Sequence, residues 1–170
     1  GLGTRLKPLT NNTPKALVPI LGKPVIEYVI LKVKKQGFNE IIINIHHFGD
    51  QIIDFIKSKN YFDIRIEFSD EREKLLDTGG AIKKASWFFD ADKPILIHNA
   101  DILSDVNLAY VYQSHMKSKA MATLVVNDRE TSRYLFFDKN NYLKGWINEK
   151  KGKIVSSSAY NSLEHHKLAF

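Results

Sequence analysis

The first fifteen residues carry the groups best suited to binding a phosphorylated ligand. The chain opens with Gly1-Leu2-Gly3-Thr4-Arg5-Leu6, and Lys15 follows Pro14 a little further along. Glycines let a backbone approach a phosphate closely, and successive N–H groups form an anion-binding nest. Arg5 adds a planar fork of donors that matches phosphate oxygens, and Lys15 adds a second cation.

A glycine-proline surface loop with solvated charges has the same composition, and a short G-x-G motif alone favours that alternative. A Walker-type phosphate loop does not fit, because no G-K-S/T follows the glycines.

The basic residues are concentrated at the same end of the chain. The net charge is +6. Residues 1–35 hold seven basic residues against Glu27 alone, and the rest of the chain is balanced in charge. A localised positive field implies an anionic partner at that end. Nucleic acid, a phosphorylated small molecule and an acidic membrane surface all fit this pattern.

A second group of polar residues, His98-Asn99-Ala100-Asp101, ends a short apolar run at residues 94–98 that predicts a buried strand. Ligands of open α/β sheets gather at the carboxyl ends of strands. Asp101 is therefore a candidate ligand for Mg²⁺, which takes oxygen ligands together with substrate phosphates. Asn99 is a candidate nucleotide contact. The alternative is that both residues cap a helix or form a turn.

The N-terminal motif and its continuation resemble the signature of a known family. Residues 1–10, followed by Thr13-Pro14-Lys15, resemble the G-x-G-T-R-L-x-P-L-T and P-K pattern of the sugar-1-phosphate nucleotidyltransferases. The nearest subgroup in pattern is that of the N-acetylmuramate-1-phosphate uridylyltransferases and mannose-1-phosphate guanylyltransferases. The resemblance implies transfer of a nucleotidyl group from UTP or GTP to a sugar-1-phosphate, with release of pyrophosphate and with Mg²⁺ as cofactor.

The same resemblance implies a role for each motif residue. The catalytic cations are Arg5 and Lys15, and the nucleotide is bound by Gly1, Gly3, Thr4, Gly80 and Asn99, with Asp101 as the metal ligand. Gly80 belongs to residues 77–81, which resemble the family segment that meets the base. A plain helix start capped by Thr78 is the alternative there. The three lysines Lys32, Lys34 and Lys35 are expected on a solvated helix face.

Two residues near the C-terminal end are candidates for the sugar side of the site. Arg133 lies in residues 129–136, which resemble a segment of the same subgroup, although an ordered start of a hairpin explains them equally well. Glu149 resembles the glutamate of the family's E-K-P motif only loosely. The family's second metal carboxylate is expected beyond Phe170. We therefore expect one nucleotidyltransferase domain over residues 1–170, incomplete at both ends.

Strands and helices alternate along most of the chain, which predicts a mainly parallel sheet flanked by helices on both faces. The predicted helices are residues 25–36, 50–57, 78–89 and 108–117; the predicted strands are residues 41–45, 64–68, 94–98 and 122–126. Residues 134–137 and 142–146 predict an appended β-hairpin. Together with the resemblance, this pattern implies an α/β, Rossmann-like nucleotide-diphospho-sugar transferase fold.

Composition narrows the remaining choices. The chain has 170 residues, 44% of them hydrophobic, and no cysteine. That composition excludes disulfides, thiolate zinc sites and cysteine nucleophiles, and cytoplasm is the expected compartment. No apolar run is long enough to span a membrane.

A catalytically inactive nucleotide-binding sensor or assembly domain is the alternative function. Nucleic-acid binding ranks below it, because no RNP, helix-turn-helix or zinc motif is present. The oligomeric state stays open.

Overall fold

The chain forms two compact units, Gly1–Lys119 and Ala120–Phe170. The structure is a computed structural model that describes residues 3, 6–156 and 165–169. The single domain expected over residues 1–170 stays a prediction. In the described part of the chain, no helix is long and apolar enough to cross a membrane.

The first helix begins where the sequence predicts it. A two-residue hairpin, β1 (Pro19–Ile20) and β2 (Lys23–Pro24), leads directly into α1 (Val25–Lys35). The helix ends in a Schellman motif, in which the Phe38 N–H donates to the Val33 carbonyl and the Gly37 N–H donates to the Lys34 carbonyl. Gly37 has φ +93°, a conformation that favours glycine. The predicted C-terminal signal of this helix is confirmed.

The lysines at the end of α1 are less solvated than the sequence predicts. The Lys32 ammonium donates to the Ser104 carbonyl at 2.5 Å, and the Lys34 ammonium donates to the Phe62 carbonyl at 2.6 Å. Lys35 alone is exposed as predicted. Long lysine stems can lie along apolar surface while the charged head reaches carbonyls of neighbouring turns, so Lys32 and Lys34 are partly exposed and hydrogen-bonded where the sequence predicts solvated side chains.

A parallel strand pair forms the centre of the first unit. The strands β3 (Glu40–Ile45) and β4 (Arg65–Asp70) pair over six residues, from Glu40↔Arg65 to Ile45↔Asp70. The helix α2 (Gly49–Ser58) makes the crossover between them. The buried core of this region joins α1, β3, α2 and β4 through Ile26, Ile30, Ile43, Ile45, Ile52, Ile56, Phe62 and Ile66. The predicted βαβ arrangement is confirmed here.

Two further helices complete the first unit. The helix α3 covers Asp77–Lys84, and a separate 3-10 turn, Ala85–Phe88, follows it, so the helix predicted to reach residue 89 is divided. Thr78 lies inside α3, and the residue before the helix is Leu76, so Thr78 is not the cap. The helix α4 (Leu108–Ser118) is capped by Asn107, whose side chain accepts a hydrogen bond from the Tyr110 N–H.

The predicted strand at residues 94–98 is not formed in the described structure. A strand exists by its ladder to a neighbour, and this segment lies beside a cavity of about 1440 Å³ that residues of β3 also line. Leu96 and Ile41 of β3 both pack against the buried cluster of Val29, Val33 and Leu108, so the two segments share one apolar cluster. The prediction is wrong, since no strand and no sheet pairing is described for residues 94–98.

The second unit is a four-stranded antiparallel sheet. Its strands are β5 (Arg133–Asp138), β6 (Leu143–Asn148), β7 (Lys153–Ser156) and β8 (His165–Leu168), in the order β7-β6-β5-β8. The predicted hairpin is confirmed as β5 and β6. Gly145 is required where β6 pairs with β7, because a Cβ there would overlap the Val155 carbonyl oxygen. The predicted strand at residues 122–126 is wrong, since the only described pairing nearby is a single bridge between Asn127 and Ala169.

Candidate functional site

The N-terminal loop is held in a turn that requires glycine. Gly3 has φ +62°, and a Cβ there would lie 3.1 Å from Cγ2 of Thr10. The Thr10 hydroxyl donates to the Gly3 carbonyl at 2.8 Å, and the Leu6 N–H donates to the same oxygen at 2.9 Å. Thr10 is buried, and its hydrogen bond to Gly3 is partly shielded from solvent. Of the predicted loop residues, Gly3 is described, whereas Gly1, Thr4 and Arg5 lie outside the described residues.

Lys15 is fixed at the start of a short 3-10 turn. The turn covers Lys15–Leu17, and the Leu17 N–H donates to the Pro14 carbonyl at 2.8 Å. Proline cannot donate and holds its own φ near −65°, so the backbone direction into Lys15 is set locally. The Lys15 side chain is 35% exposed and points along the cavity that residues 94–98 also line.

The structure brings Lys15 into an ion pair with Asp101. The Lys15 ammonium donates to Oδ2 of Asp101, 86 residues along the chain. The Asp101 side chain is 31% exposed. The predicted catalytic cation and the predicted metal ligand are therefore direct neighbours. Gly3 and Asn99 line the same cavity, so four of the predicted site residues share one surface.

Asn99 shapes the turn that carries Asp101. Its carbonyl accepts hydrogen bonds from the Ile102 N–H at 3.3 Å and from Nδ1 of His98 at 2.8 Å. The turn-forming alternative is thus realised by the Asn99 backbone. Its side chain is exposed within the cavity lining, which leaves a nucleotide contact compatible with this arrangement.

Gly80 has a packing reason to be glycine. It lies in the first half of α3, and a Cβ there would stand 2.7 Å from Cβ of Leu76. The neighbouring Gly79 faces open space within 4 Å. The close approach at Gly80 is therefore made to the chain itself, and Gly79 is the glycine whose surface is open to a ligand.

A buried carboxylate behind this loop was missed by the sequence reasoning. Glu71, one residue after β4, is 0% exposed, and its Oε2 accepts the Leu76 N–H at 3.2 Å. Its backbone carbonyl is bonded by Nδ1 of His46 at 2.8 Å. The other carboxylate oxygen has no partner among the described residues. Glu71 thus fixes the loop that leads into α3, and a lone glutamate in a charged stretch gives no sequence signal of that role.

The described donor set fits a magnesium ion only in part. Among the described residues, no three His, Cys, Asp or Glu side chains cluster as a ready-made metal site. Mg²⁺, however, commonly uses one or two carboxylates and fills its remaining positions with water and substrate phosphates. The half-exposed carboxylate of Asp101 at the edge of a cavity fits that single-ligand role, provided that Lys15 moves away from it.

The predicted sugar-side residues lie near each other in the second unit. Arg133 of β5 stands opposite Asn148, the residue before Glu149, and the Glu149 N–H donates to the Ser132 carbonyl at 2.9 Å. The Glu149 carboxylate accepts a hydrogen bond from the Lys167 ammonium at 2.5 Å. Lys167 was not predicted, because β8 carries no motif that points to a site.

Comparison with known proteins shows the family to which the chain belongs. A family model described as nucleotidyl transferase matches residues 1–137. The chain belongs to this family. It is 35% identical over 114 residues to an N-acetylmuramate alpha-1-phosphate uridylyltransferase of Neisseria meningitidis, covering 67% of this chain and 49% of that protein. It is 34% identical over 135 residues to a D-glycero-alpha-D-manno-heptose 1-phosphate guanylyltransferase of Aneurinibacillus thermoaerophilus, covering 79% of this chain and 57% of that protein.

A solved structure supports the same assignment. The crystal structure of HddC from Yersinia pseudotuberculosis matches with a TM-score of 0.69 at 28% identity, covering 92% of this chain and 68% of that one. The predicted family resemblance and the predicted α/β, Rossmann-like fold class are both confirmed. The chain spans about half the length of the curated relatives described above.

Proposed function

We propose that this chain carries the nucleotide-binding part of an enzyme that transfers a nucleotidyl group from a nucleoside triphosphate to a sugar-1-phosphate and releases pyrophosphate. The observation that carries the proposal is the meeting of Lys15 and Asp101 on the cavity that Gly3 also lines. A cation for phosphates, a carboxylate for a divalent metal and a glycine turn are the three groups that such a reaction needs at one place. The relatives named above, which their names describe as a uridylyl- and a guanylyltransferase, favour UTP or GTP as donor and a sugar phosphate as acceptor.

The reaction needs charge stabilisation and alignment rather than a protein base. A phosphate monoester has its second pKa near 6, so its attacking oxygen is already largely anionic at neutral pH. The obstacle is repulsion between two anions and the charge that builds up on the departing pyrophosphate. Lys15, with Arg5, lowers that barrier by offering fixed positive charge to the triphosphate. In the turn at Gly3, which the Thr10 hydroxyl holds, the backbone can approach the phosphates closely. We propose that Gly1 and Thr4 also contact the phosphates.

The remaining residues have subsidiary roles in this proposal. Gly80 and the open backbone of Gly79 flank the base, and Asn99 contacts the nucleotide. Asp101 would hold Mg²⁺, which when bound neutralises phosphate charge. In the second unit, Arg133 and Glu149 are proposed to contact the sugar, with Lys167 holding the Glu149 carboxylate in place.

The experiment that tests the proposal is a ³¹P NMR assay of the 170-residue chain. The chain is mixed with Mg²⁺, one of UTP, GTP or CTP, and a panel of hexose- and heptose-1-phosphates. We expect a new diphosphodiester resonance together with pyrophosphate for one donor. Lys15→Gln should abolish both signals, whereas Lys23→Gln, which removes an equal charge at an exposed site, should retain them.

A thermal-shift titration distinguishes the alternative function. A nucleotide that binds only the folded state raises the melting temperature. Stabilisation by a nucleoside triphosphate with no product from any acceptor would contradict catalysis and favour the inactive nucleotide-binding sensor or assembly domain.

A further inference from the structure

The ion pair between Lys15 and Asp101 joins two groups that the proposed reaction needs separately. Lys15 is needed by the triphosphate, and Asp101 is needed by a divalent cation. In the described structure each of them is engaged by the other, and no other ion pair is described for either side chain. Both side chains are about one-third exposed, so the pair lies at the cavity edge where ligands of either charge reach it.

We infer that this ion pair is an internal latch that makes triphosphate and divalent cation bind cooperatively. The inference rests on the proposed function, since it concerns the same site. While Lys15 holds Asp101, a divalent cation must displace an ammonium group to reach the carboxylate. A triphosphate offers Lys15 a more highly charged partner and so releases the carboxylate. Each ligand therefore lowers the free-energy cost of binding the other, and by linkage the effect is reciprocal.

The positions of the two residues support exchange rather than a fixed structural pair. Lys15 sits on the short 3-10 turn Lys15–Leu17, and Asp101 sits on the turn formed by the Asn99 carbonyl and the Ile102 N–H, so neither belongs to an α-helix or a strand. A half-exposed ion pair contributes little to folding, because solvent screens it. Breaking the pair therefore costs the fold little and changes mainly what binds at the cavity edge.

The size of the effect follows from the same exposure. A screened pair, together with repulsion between an ammonium group and a divalent ion a few ångströms away, corresponds to about a three- to tenfold change in affinity. Removing the charge of Lys15 should raise the affinity of the ligand-free chain for Mn²⁺ by that factor. Removing the charge of Asp101 should raise the affinity for a metal-free polyphosphate by a similar factor.

The test is a pair of double-mutant cycles on the full 170-residue chain, using Lys15→Gln, Asp101→Asn and both together. Mn²⁺ binding is measured by EPR without any phosphate. Inorganic tripolyphosphate binding is measured by calorimetry in EDTA. We expect Lys15→Gln to raise Mn²⁺ affinity three- to tenfold only while Asp101 is present. We expect Asp101→Asn to raise tripolyphosphate affinity at least threefold more in the Lys15 chain than in the Lys15→Gln background.

Two controls separate the latch from a general charge effect. Lys23→Gln removes the same charge elsewhere and should leave Mn²⁺ affinity within about twofold of the wild type. Lys15→Arg keeps the positive charge and should likewise leave Mn²⁺ affinity within about twofold of the wild type. Equal gains from Asp101→Asn in both backgrounds, or no gain in Mn²⁺ affinity from Lys15→Gln, would overturn the inference. The cycles need no turnover, so they fail or succeed independently of the nucleotidyl-transfer assay.

Discussion

Two adjacent glycines of α3 should respond in opposite ways to alanine. Gly79 and Gly80 both lie inside the helix Asp77–Lys84, and neither has a positive φ. An added Cβ at Gly79 meets nothing within 4 Å, whereas at Gly80 it stands 2.7 Å from Cβ of Leu76. A change of rotamer cannot relieve that contact, because a Cβ position is set by the backbone. The helix or its preceding turn has to shift.

The magnitudes follow from two general effects. Replacing glycine by alanine where the backbone is compatible stabilises by about 0.4–1 kcal/mol, because the unfolded chain loses freedom. Overpacking against a fixed neighbour costs about 1–3 kcal/mol. We therefore expect Gly79→Ala to raise the free energy of unfolding by about 0.5 kcal/mol and Gly80→Ala to lower it by about 1–2 kcal/mol.

Urea unfolding followed by circular dichroism measures both changes on one scale. The same two variants, titrated with the preferred triphosphate, also test the base-binding role. Gly79→Ala should weaken nucleotide binding while stabilising the fold, since its Cβ enters the open surface. Equal stability changes at the two positions would refute the packing argument, and unchanged nucleotide affinity in both variants would remove this loop from the site.

Three further predictions concern the charged groups. Lys15→Ala or Arg5→Ala should lower turnover by about 10²-fold or more with little change in the urea midpoint, and wild-type turnover would contradict their role as charge stabilisers. Asp101→Asn should move the Mg²⁺ titration of turnover to higher concentration; an unchanged titration argues against the metal role. A hydrogen bond from the Tyr142 N–H is the main cause that lowers the pKa of Asp138 from its ordinary 3.8. The ionised Asp138 carboxylate therefore stabilises the folded state above the ordinary pKa of 3.8, and this stabilisation is lost as the pH falls through the lower pKa of the folded state. In urea unfolding at several pH values, Asp138→Asn should lower the free energy of unfolding at pH 7, and by less below about pH 4.

Local patterns predicted the elements whose causes are local. The helix α1 follows Pro24 and ends at a Schellman motif around Gly37, and both signals act within a few residues. The apolar run of β3 gave the right strand to within one residue, because its neighbour β4 and its covering helices lie within the described unit. For α1 and β3, the sequence was sufficient to predict the element because the residues that determine it lie close to it in the chain.

The candidate site was predicted as a set of residues, but its contacts were not. Lys15 and Asp101 were assigned from separate motifs, and their ion pair depends on how two distant turns fold towards one cavity. Glu71 was missed because its role is set by complete burial and by the Leu76 N–H, neither of which a residue type announces. Gly80 matched a family segment, and only the fold revealed its close approach to Leu76.

Residues 94–98 show that an apolar sequence pattern is not enough to form a strand. Its apolar run predicts that the side chains are buried, yet Ile95 and Ile97 are 39% and 58% exposed. The carbonyls of Asn39, just before β3, and of Ile45, its last residue, accept hydrogen bonds from the N–H groups of Arg65 and Glu71 at the two ends of β4.

Because backbone groups alternate along a strand, residues 40, 42 and 44 must direct theirs to the opposite edge, which borders the cavity. Among the described residues β3 pairs only with β4, and the cavity is lined both by β3 and by residues 94–98, whose Ile95 and Ile97 side chains are exposed. Burial patterns are encoded in a segment itself, whereas strand pairing is a property of two segments. The predicted buried strand at residues 94–98 is therefore wrong in the described structure, although Leu96 of this segment does pack against the buried cluster of Val29, Val33 and Leu108.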